Sequence, residues 1–337
     1  MKIFIIFFCI LSFIYGDTTL KIATYNVENL FDLNTKDTNR YKEYIPYTKS
    51  LWNNKNYKIK LNNISKVIKD IDADIIAIEE VGSLTALLDL RKTLKQKGLF
   101  YKYYKIANQK PTTVKVAILS KYPFVYTKEI KVTSSYKYRN ILEVKFKIDS
   151  KELYLFVNHW KSKAGAESMR IVSAKKLIRR IKEIGYDKNI IILGDFNSHY
   201  EEYKTFVRKR KLNDTYSKTG INHILKTIKE TDIAKNTKYE PFNFYNLWYD
   251  TPAKNRYTYI FRGKKEALDS IIISQSLLQH NGIYYINNSI NTLNKPYLFK
   301  KRYIYRWQTS WGRVRKHKGR GYSDHLPVIA KFKIQTN

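Results

Sequence analysis

Cysteine is almost missing from this 337-residue chain: the one thiol, Cys9, lies in an apolar run near the start. That excludes disulfides and thiol chemistry, so stability must come from the core alone. No apolar stretch is long enough to span a bilayer comfortably, which takes about 20 residues. The longest, residues 3–14, follows Lys2 and precedes Tyr15-Gly16-Asp17. A basic start, a dozen apolar residues and a small residue before the cut describe a secretory signal peptide. Residues 1–16 are therefore set apart from a mature domain of residues 17–337, expected to be secreted or periplasmic. No repeat, low-complexity linker or shift in composition divides that domain.

Acidic residues are also scarce. There are 29 Asp and Glu against 63 Lys and Arg, a formal charge of +34. Such an excess implies a polyanionic partner: nucleic acid, lipopolysaccharide or an anionic membrane surface. Lys, Asn, Ile and Tyr are abundant throughout, so a general lysine bias explains scattered lysines. It explains the segment 295–320 less well, where ten Lys and Arg occur without one Asp or Glu. Tyr297, Phe299, Tyr303, Tyr305, Trp307 and Trp311 are interleaved among them. Cations interleaved with aromatics suit a phosphate backbone with bases available for stacking.

Strand and helix patterns alternate over the whole chain. Strands are expected at 20–25, 75–78, 114–119, 125–132, 141–148, 153–157, 190–193, 268–273 and 327–334, from short β-branched runs. Apolar residues at helical spacing predict helices over 59–71 and 169–184. The polar stretch 199–249 reads as helices and loops laid over a sheet. This distribution favours one α/β domain.

The richest segment is Ile191-Ile192-Leu193-Gly194-Asp195-Phe196-Asn197-Ser198. A buried strand ends at a glycine, and in extended geometry Asp195 and Asn197 leave the same face. A carboxylate beside a carboxamide can hold and deprotonate an attacking water. Alone, the segment would read as a strand followed by an Asx turn. Five other strand edges also carry polar groups: Asn26, Glu80, His159, Asp269 and Asp324-His325. Six in one chain are hard to treat as independent turns.

With these residues in view, the chain resembles the endonuclease/exonuclease/phosphatase superfamily. The resemblance rests on Thr24-Tyr25-Asn26-Val27-Glu28-Asn29, Ile76-Ala77-Ile78-Glu79-Glu80-Val81, Ile118-Leu119-Ser120-Lys121-Tyr122-Pro123, Val157-Asn158-His159-Trp160-Lys161-Ser162, Gly194-Asp195-Phe196-Asn197, Leu268-Asp269-Ser270-Ile271 and Ser323-Asp324-His325-Leu326-Pro327-Val328. It implies a four-layer α/β sandwich, two packed mixed β-sheets flanked by helices, with the site at one end. It also implies hydrolysis of phosphate esters with a divalent cation, usually Mg²⁺, with Mn²⁺ or Ca²⁺ as alternatives. By position, Glu80 is the principal metal ligand, assisted by Asn26 and Asp324. Asp195, oriented by Asn197, activates the water. His325, held by Asp269, bonds the phosphoryl oxygens. His159 protonates the leaving oxygen or stabilises its charge. Glu79 stands where the family often carries Gln, and register assigns the metal to Glu80.

The chemistry asks for such a set on its own account. A phosphodiester repels hydroxide, so developing charge must be neutralised while a water is held opposite the leaving group. Charge, aromatic-basic segment and leader together favour a largely non-sequence-specific nuclease acting on DNA, with RNA as a variant. Arg139, Arg313, Arg315 and Lys316 are the expected substrate-binding cations. A sphingomyelinase-like phospholipid phosphodiesterase and a non-catalytic polyanion-binding surface protein are the competing readings.

Overall fold

The computed structural model describes residues 18–36, 41–110, 112–206, 212–227 and 243–335. Residues 1–16, the expected leader, and part of the polar stretch after His199 lie outside the described residues.

Strands β1 (Thr18–Leu30), β2 (Ile75–Val81), β3 (Tyr103–Ile106) and β4 (Lys115–Ser120) belong to one sheet. Strands β5 (Phe124–Ile130), β6 (Ile141–Ile148), β7 (Lys151–His159), β8 (Ile190–Asp195) and β9 (Phe244–Asn246) belong to a second. A short ribbon, β10 (Tyr259–Phe261) with β11 (Lys264–Glu266), precedes β12 (Asp269–Ser274), which joins the second sheet. Strands β13 (Ile283–Tyr285) and β14 (Asn291–Thr292) return to the first; β15 (Phe299–Lys300) and β16 (Tyr303–Ile304) form another ribbon, and β17 (Val328–Ile334) closes the first sheet. The sheets run β13-β17-β1-β2-β4-β3, with β14 also on β17, and β5-β6-β7-β8-β12-β9.

Each sheet contains one parallel pair, β1 with β2 and β7 with β8, and is otherwise antiparallel. A parallel pair needs a long crossover. Helix α1 (Asn54–Ile71) supplies the first and α3 (Glu167–Ile184) the second. Helix α2 (Leu84–Gln96) lies beside α1, and a single turn, α4 (Glu202–Thr205), follows β8.

The layers follow from side-chain alternation. On β1, Leu20 and Ile22 face the other sheet, meeting Leu155, Val157, Ile191 and Leu193, while Ala23, Tyr25 and Val27 face α1 and α2. Helix α1 returns Ile64, Val67, Ile68 and Ile71, the periodic residues seen in the sequence. Helix α3 buries Ala174, Leu177 and Ile181 on the second sheet. The result is helices, sheet, sheet, helix: the four-layer sandwich that the sequence implied.

Boundaries differ from expectation mainly where polar side chains cap or extend an element. Helix α1 begins at Asn54 rather than residue 59, because the Asn53 side chain accepts the Asn56 N–H. Strand β1 runs on to Leu30 through polar residues, and α2 and β3 lack a strong period. Over 199–249 the described residues form short helical turns and loops, as expected, except that Phe244–Asn246 adds an edge strand.

One glycine sets the spacing at the parallel pair. Gly194 has φ +128°, and a Cβ there would lie 2.0 Å from the Asn158 carbonyl oxygen. Only glycine lets β7 approach so closely just before Asp195.

The segment 306–320 folds into an irregular hairpin, tied by Gln308 N–H to the Arg320 carbonyl (2.9 Å) and Ser310 N–H to the Lys316 carbonyl (2.8 Å). Its inner side carries Trp307 and His317, packed with Tyr44 and Trp52. His317 Nδ1 accepts from the Trp307 indole N–H at 2.8 Å, so Nε2 carries the proton and donates to the Glu43 carbonyl at 2.9 Å. Burial lowers the His317 pKa from 6.5 to about 4. Neutral His317 therefore favours folding: its contribution is complete above pH 6.5 and is lost as pH falls through about 4. The loss should approach about 3 kcal/mol. Between pH 7.5 and 4.5, the melting temperature should fall several degrees further in the natural protein than in His317→Gln. Parallel curves would remove His317 from this account.

Candidate active site

The cluster is assembled by strand register. His159 is paired with Asp195 across β7 and β8, and Asp195 with Asp269 across β8 and β12. Three neighbouring strands thus present His159, Asp195 and Asp269 in one row. The facing sheet contributes Asn26, paired with Glu79 across β1 and β2, and Glu80 one residue on. The pairing of β2 shifts between Ile78 and Val81, and Glu80, at φ +66°, sits within that irregularity.

Asp195 is held from both sides. The backbone N–H of Asn197 donates to Oδ1 at 2.8 Å, and the Asn26 amide donates to Oδ2 at 3.0 Å. Burial, then the neighbouring charge of Asp269, raises its pKa from 3.8 to about 7. His159 Nε2 lies 3.5 Å from Asp195 Oδ2 and 3.7 Å from Glu80 Oε1, between the water-activating and metal-binding candidates. Trp160 braces this edge: its indole donates to Asn158 Oδ1, and its ring packs edge-on against Phe196.

Asp269 and His325 form a tight pair, Oδ2 to Nδ1 at 2.7 Å. Asp269 is in turn fixed through its own backbone. Its N–H donates to the Thr258 hydroxyl, and its carbonyl accepts the Trp248 indole N–H. Burial alone would lower the His325 pKa, but the carboxylates of Asp269, Asp195 and Asp324 outweigh it and raise it well above 6.5.

The two adjacent glutamates part company. Glu79 is fully buried and accepts from Thr24 Oγ1 at 2.8 Å. Burial raises its pKa well above 4.5, and the nearby Asp269 adds to the effect. Glu80 opens toward the site and accepts the Asn29 N–H at 3.0 Å. Its pKa is raised by burial and then by the charge of Asp324, with Arg139 and His325 opposing. A divalent cation between Glu80 and Asp324 would replace repulsion with attraction, and carboxylate oxygens suit an ion such as Mg²⁺. The donor set fits the ion that the fold implies. Bound there, the ion would neutralise charge on a phosphoryl oxygen. Asp195, Asp269 and His325 also bring ligand atoms within 4.8 Å of one another. The Asp269–His325 bond already occupies His325 Nδ1 and one Asp269 oxygen, whereas Glu80 and Asp324 offer hard carboxylate oxygens.

Two residues differ from expectation in how they act. The Asn26 oxygen accepts the Glu28 N–H (3.0 Å), which leaves its amide nitrogen facing the carboxylates. In this arrangement Asn26 is a donor that aligns Asp195 rather than an oxygen ligand. Asn197 orients Asp195 through its backbone, while its side-chain amide reaches the Trp160 carbonyl at 3.3 Å.

Arg139 stands beside the cluster, donating to the carbonyls of Trp160 (3.0 Å) and His159 (3.4 Å). Arg313, Arg315 and Lys316 are not brought to the cluster. They lie at the exposed tip of the 306–320 hairpin, where Arg313 and Arg315 border a shallow recess with Lys42 and Lys49. From Arg306 the chain advances seven residues to Arg313, a reach of at most about 23 Å at about 3.3 Å per extended residue. Charge and composition assign these cations to substrate but carry no such distance.

The hairpin's base holds a pair that sequence patterns do not single out. Arg306 pairs with Glu28 and lies 3.2 Å from Asp324, and Glu28 also accepts the Trp307 N–H at 3.0 Å. Burial pushes Glu28 up to about 7, Asp324 adds to the rise, and Arg306 opposes it. Glu28 lies within a family-like motif and Arg306 within the basic segment, but nothing local pairs residues 278 positions apart.

A family model described as the endonuclease/exonuclease/phosphatase family matches residues 21–334. The chain belongs to that family. Its members are hydrolases of phosphodiesters or phosphate esters and depend on a divalent metal. No curated protein matches. An endonuclease/exonuclease/phosphatase family protein from Bacteroides thetaiotaomicron is 14% identical, with TM-score 0.56, over 95% of this chain and 100% of that one. TDP2 from D. rerio, complexed with a single-strand DNA product, is 14% identical with TM-score 0.55, covering 94% and 99%. A mannosyl-6-phosphatase from B. thetaiotaomicron is 15% identical with TM-score 0.54, covering 93% and 99%. At these identities the likeness shows the fold.

If Asp269 acts through His325, Asp269→Asn and His325→Gln should each lower turnover by about two to four orders of magnitude. The double variant should be scarcely worse than either single one. Steady-state rates on a chromogenic phosphodiester, with circular dichroism to confirm folding, check this. Multiplying losses would separate the two residues.

Proposed function

We propose that this chain is an exported, Mg²⁺-dependent phosphodiesterase that hydrolyses nucleic acid, DNA foremost, with little sequence preference. The observation that carries the reading is the row His159–Asp195–Asp269 facing Glu80, completed by His325. Asp195, with its pKa near neutrality, takes the proton of a water as the water's oxygen adds to phosphorus. His325 donates to a phosphoryl oxygen whose charge grows, and Asp269 keeps its ring in place. His159 hands a proton to the departing ester oxygen as the P–O bond breaks. Proton and water are thereby shared between the two products.

The polyanionic substrate is supported by the charge of +34 and by the cationic tip that holds Arg313 and Arg315, with Trp311 98% exposed beside them. The likeness to TDP2 holding a single-strand DNA product adds to it. The likeness to a mannosyl-6-phosphatase favours a phosphomonoester as the second reading. Export rests on Lys2 and the apolar run after it, and N-terminal sequencing of the protein from culture tests the cut before Asp17.

Purified protein should nick supercoiled plasmid or degrade single-stranded DNA in Mg²⁺, and should fail in EDTA or as Asp195→Ala. Intact DNA in every arm refutes the nuclease reading and leads to RNA, sugar phosphates and sphingomyelin vesicles. Replacing Arg313, Arg315 and Lys316 with Ala should flatten the salt dependence of duplex binding by about 0.9 in log–log slope for each phosphate no longer neutralised. An unchanged slope returns these residues to general lysine and arginine bias.

A further inference from the structure

A groove of about 1030 Å³ opens beside the cluster. Its walls are the continuations of three strands that carry candidate catalytic residues. Phe31 and Asp32 follow β1, Gly82 and Ser83 follow β2 after Glu80, and Lys161 and Ser162 follow β7 after His159. Arg139 joins groove to cluster, since it lines the groove and holds the His159 and Trp160 carbonyls. A chain leaving the reacting phosphate in this direction enters the groove at once.

The lining is strongly cationic. Lys36, Lys137, Arg139 and Lys161 face it with a single acid, Asp32. The Asp32 carboxylate is turned inward, accepting the Asn34 N–H at 2.8 Å and the Ser83 hydroxyl. Lys115 braces the wall through the carbonyls of Gly82 (2.9 Å) and Thr112 (2.7 Å). Aromatic surface accompanies the charge: half-buried Tyr41 lies in the wall, and Tyr136 is 77% exposed at the rim beside Lys137. A cationic groove with aromatic faces is how proteins hold unpaired nucleotides, which stack on rings while their phosphates meet cations. The volume is at the top of the range for drug-sized ligands, about 300–1,000 Å³. That is room for a few unpaired nucleotides.

We infer that this groove holds unpaired nucleotides on one side of the scissile phosphate, so that frayed ends, gaps and single strands are preferred over intact duplex. The inference rests on the nucleic-acid reading above and specifies which form of the polymer the site takes. Tyr136 supplies a stacking face, and Lys36 and Lys137 supply backbone contacts. The hairpin tip serves the longer-range attraction of either form.

The test is fluorescence anisotropy in EDTA at fixed salt, with a labelled 12-nucleotide oligothymidylate and a blunt duplex of equal length. The natural protein should bind the single strand at least about tenfold more tightly. Tyr136→Ala with Lys137→Glu should weaken that binding about tenfold or more, as loss of one stacked base implies. Lys175→Glu, the same charge change on exposed α3, should alter it less than about twofold. Equal affinity for both polymers, equal loss in the α3 control, or displacement of the strand by millimolar mannose 6-phosphate overturns the inference. Hydrolysis of bis(p-nitrophenyl) phosphate separates the two failures. Its absence from the natural protein defeats the phosphodiesterase reading while the binding result stands. Its presence alongside strand binding that ignores Tyr136 and Lys137 defeats the groove alone.

Discussion

The structure depends on burying many carboxylates where the two sheets meet. Glu28, Glu79, Glu80, Asp195, Asp269 and Asp324 converge there, in a protein whose surface is overwhelmingly cationic. An unpaired buried charge costs several kcal/mol, so each acid needs a partner or a proton. Asp269 has His325, Glu28 has Arg306, and Glu79 has the Thr24 hydroxyl and surroundings that favour its protonated form. What remains around Glu80 and Asp324 is an excess of negative charge, which an oxygen-seeking cation relieves. Stability and metal affinity are two sides of the same electrostatic problem.

The layering follows from where those acids must stand. Parallel strands end on the same side, so β1 with β2 and β7 with β8 deliver Asn26, Glu79, His159 and Asp195 to one edge. The crossovers that parallel pairing requires are α1 and α3, which cover the outer faces of the two sheets. Helices on the outside are thus the topological cost of gathering strand ends on the inside.

Much of this is legible in the sequence because the site lies on strands. Ile190 to Leu193 and Leu153 to Val157 are apolar runs whose polar successors mark their ends, and register does the rest. The identity of the outward glutamate needs the irregularity at Glu80, whose positive φ departs from a regular strand. The role of Asn197 eludes the pattern because its backbone, not its side chain, holds Asp195. Arg306 and Glu28 elude it because their pairing is set by a long irregular return of the chain, which has no period to read. The cations at the hairpin tip stand out as a patch, but composition carries no distances.

Gly194 makes the parallel pair of the second sheet unforgiving. Its bare α-carbon rests against the β7 carbonyl immediately before the row of His159, Asp195 and Asp269. Any side chain there would wedge the two strands apart and widen that row from its middle. The position works as a gauge block: one missing methyl group fixes how far apart an acid and an imidazole on separate strands can be. As sequences in such a lineage drift, the surface lysines can be traded freely, whereas this hydrogen atom has no substitute.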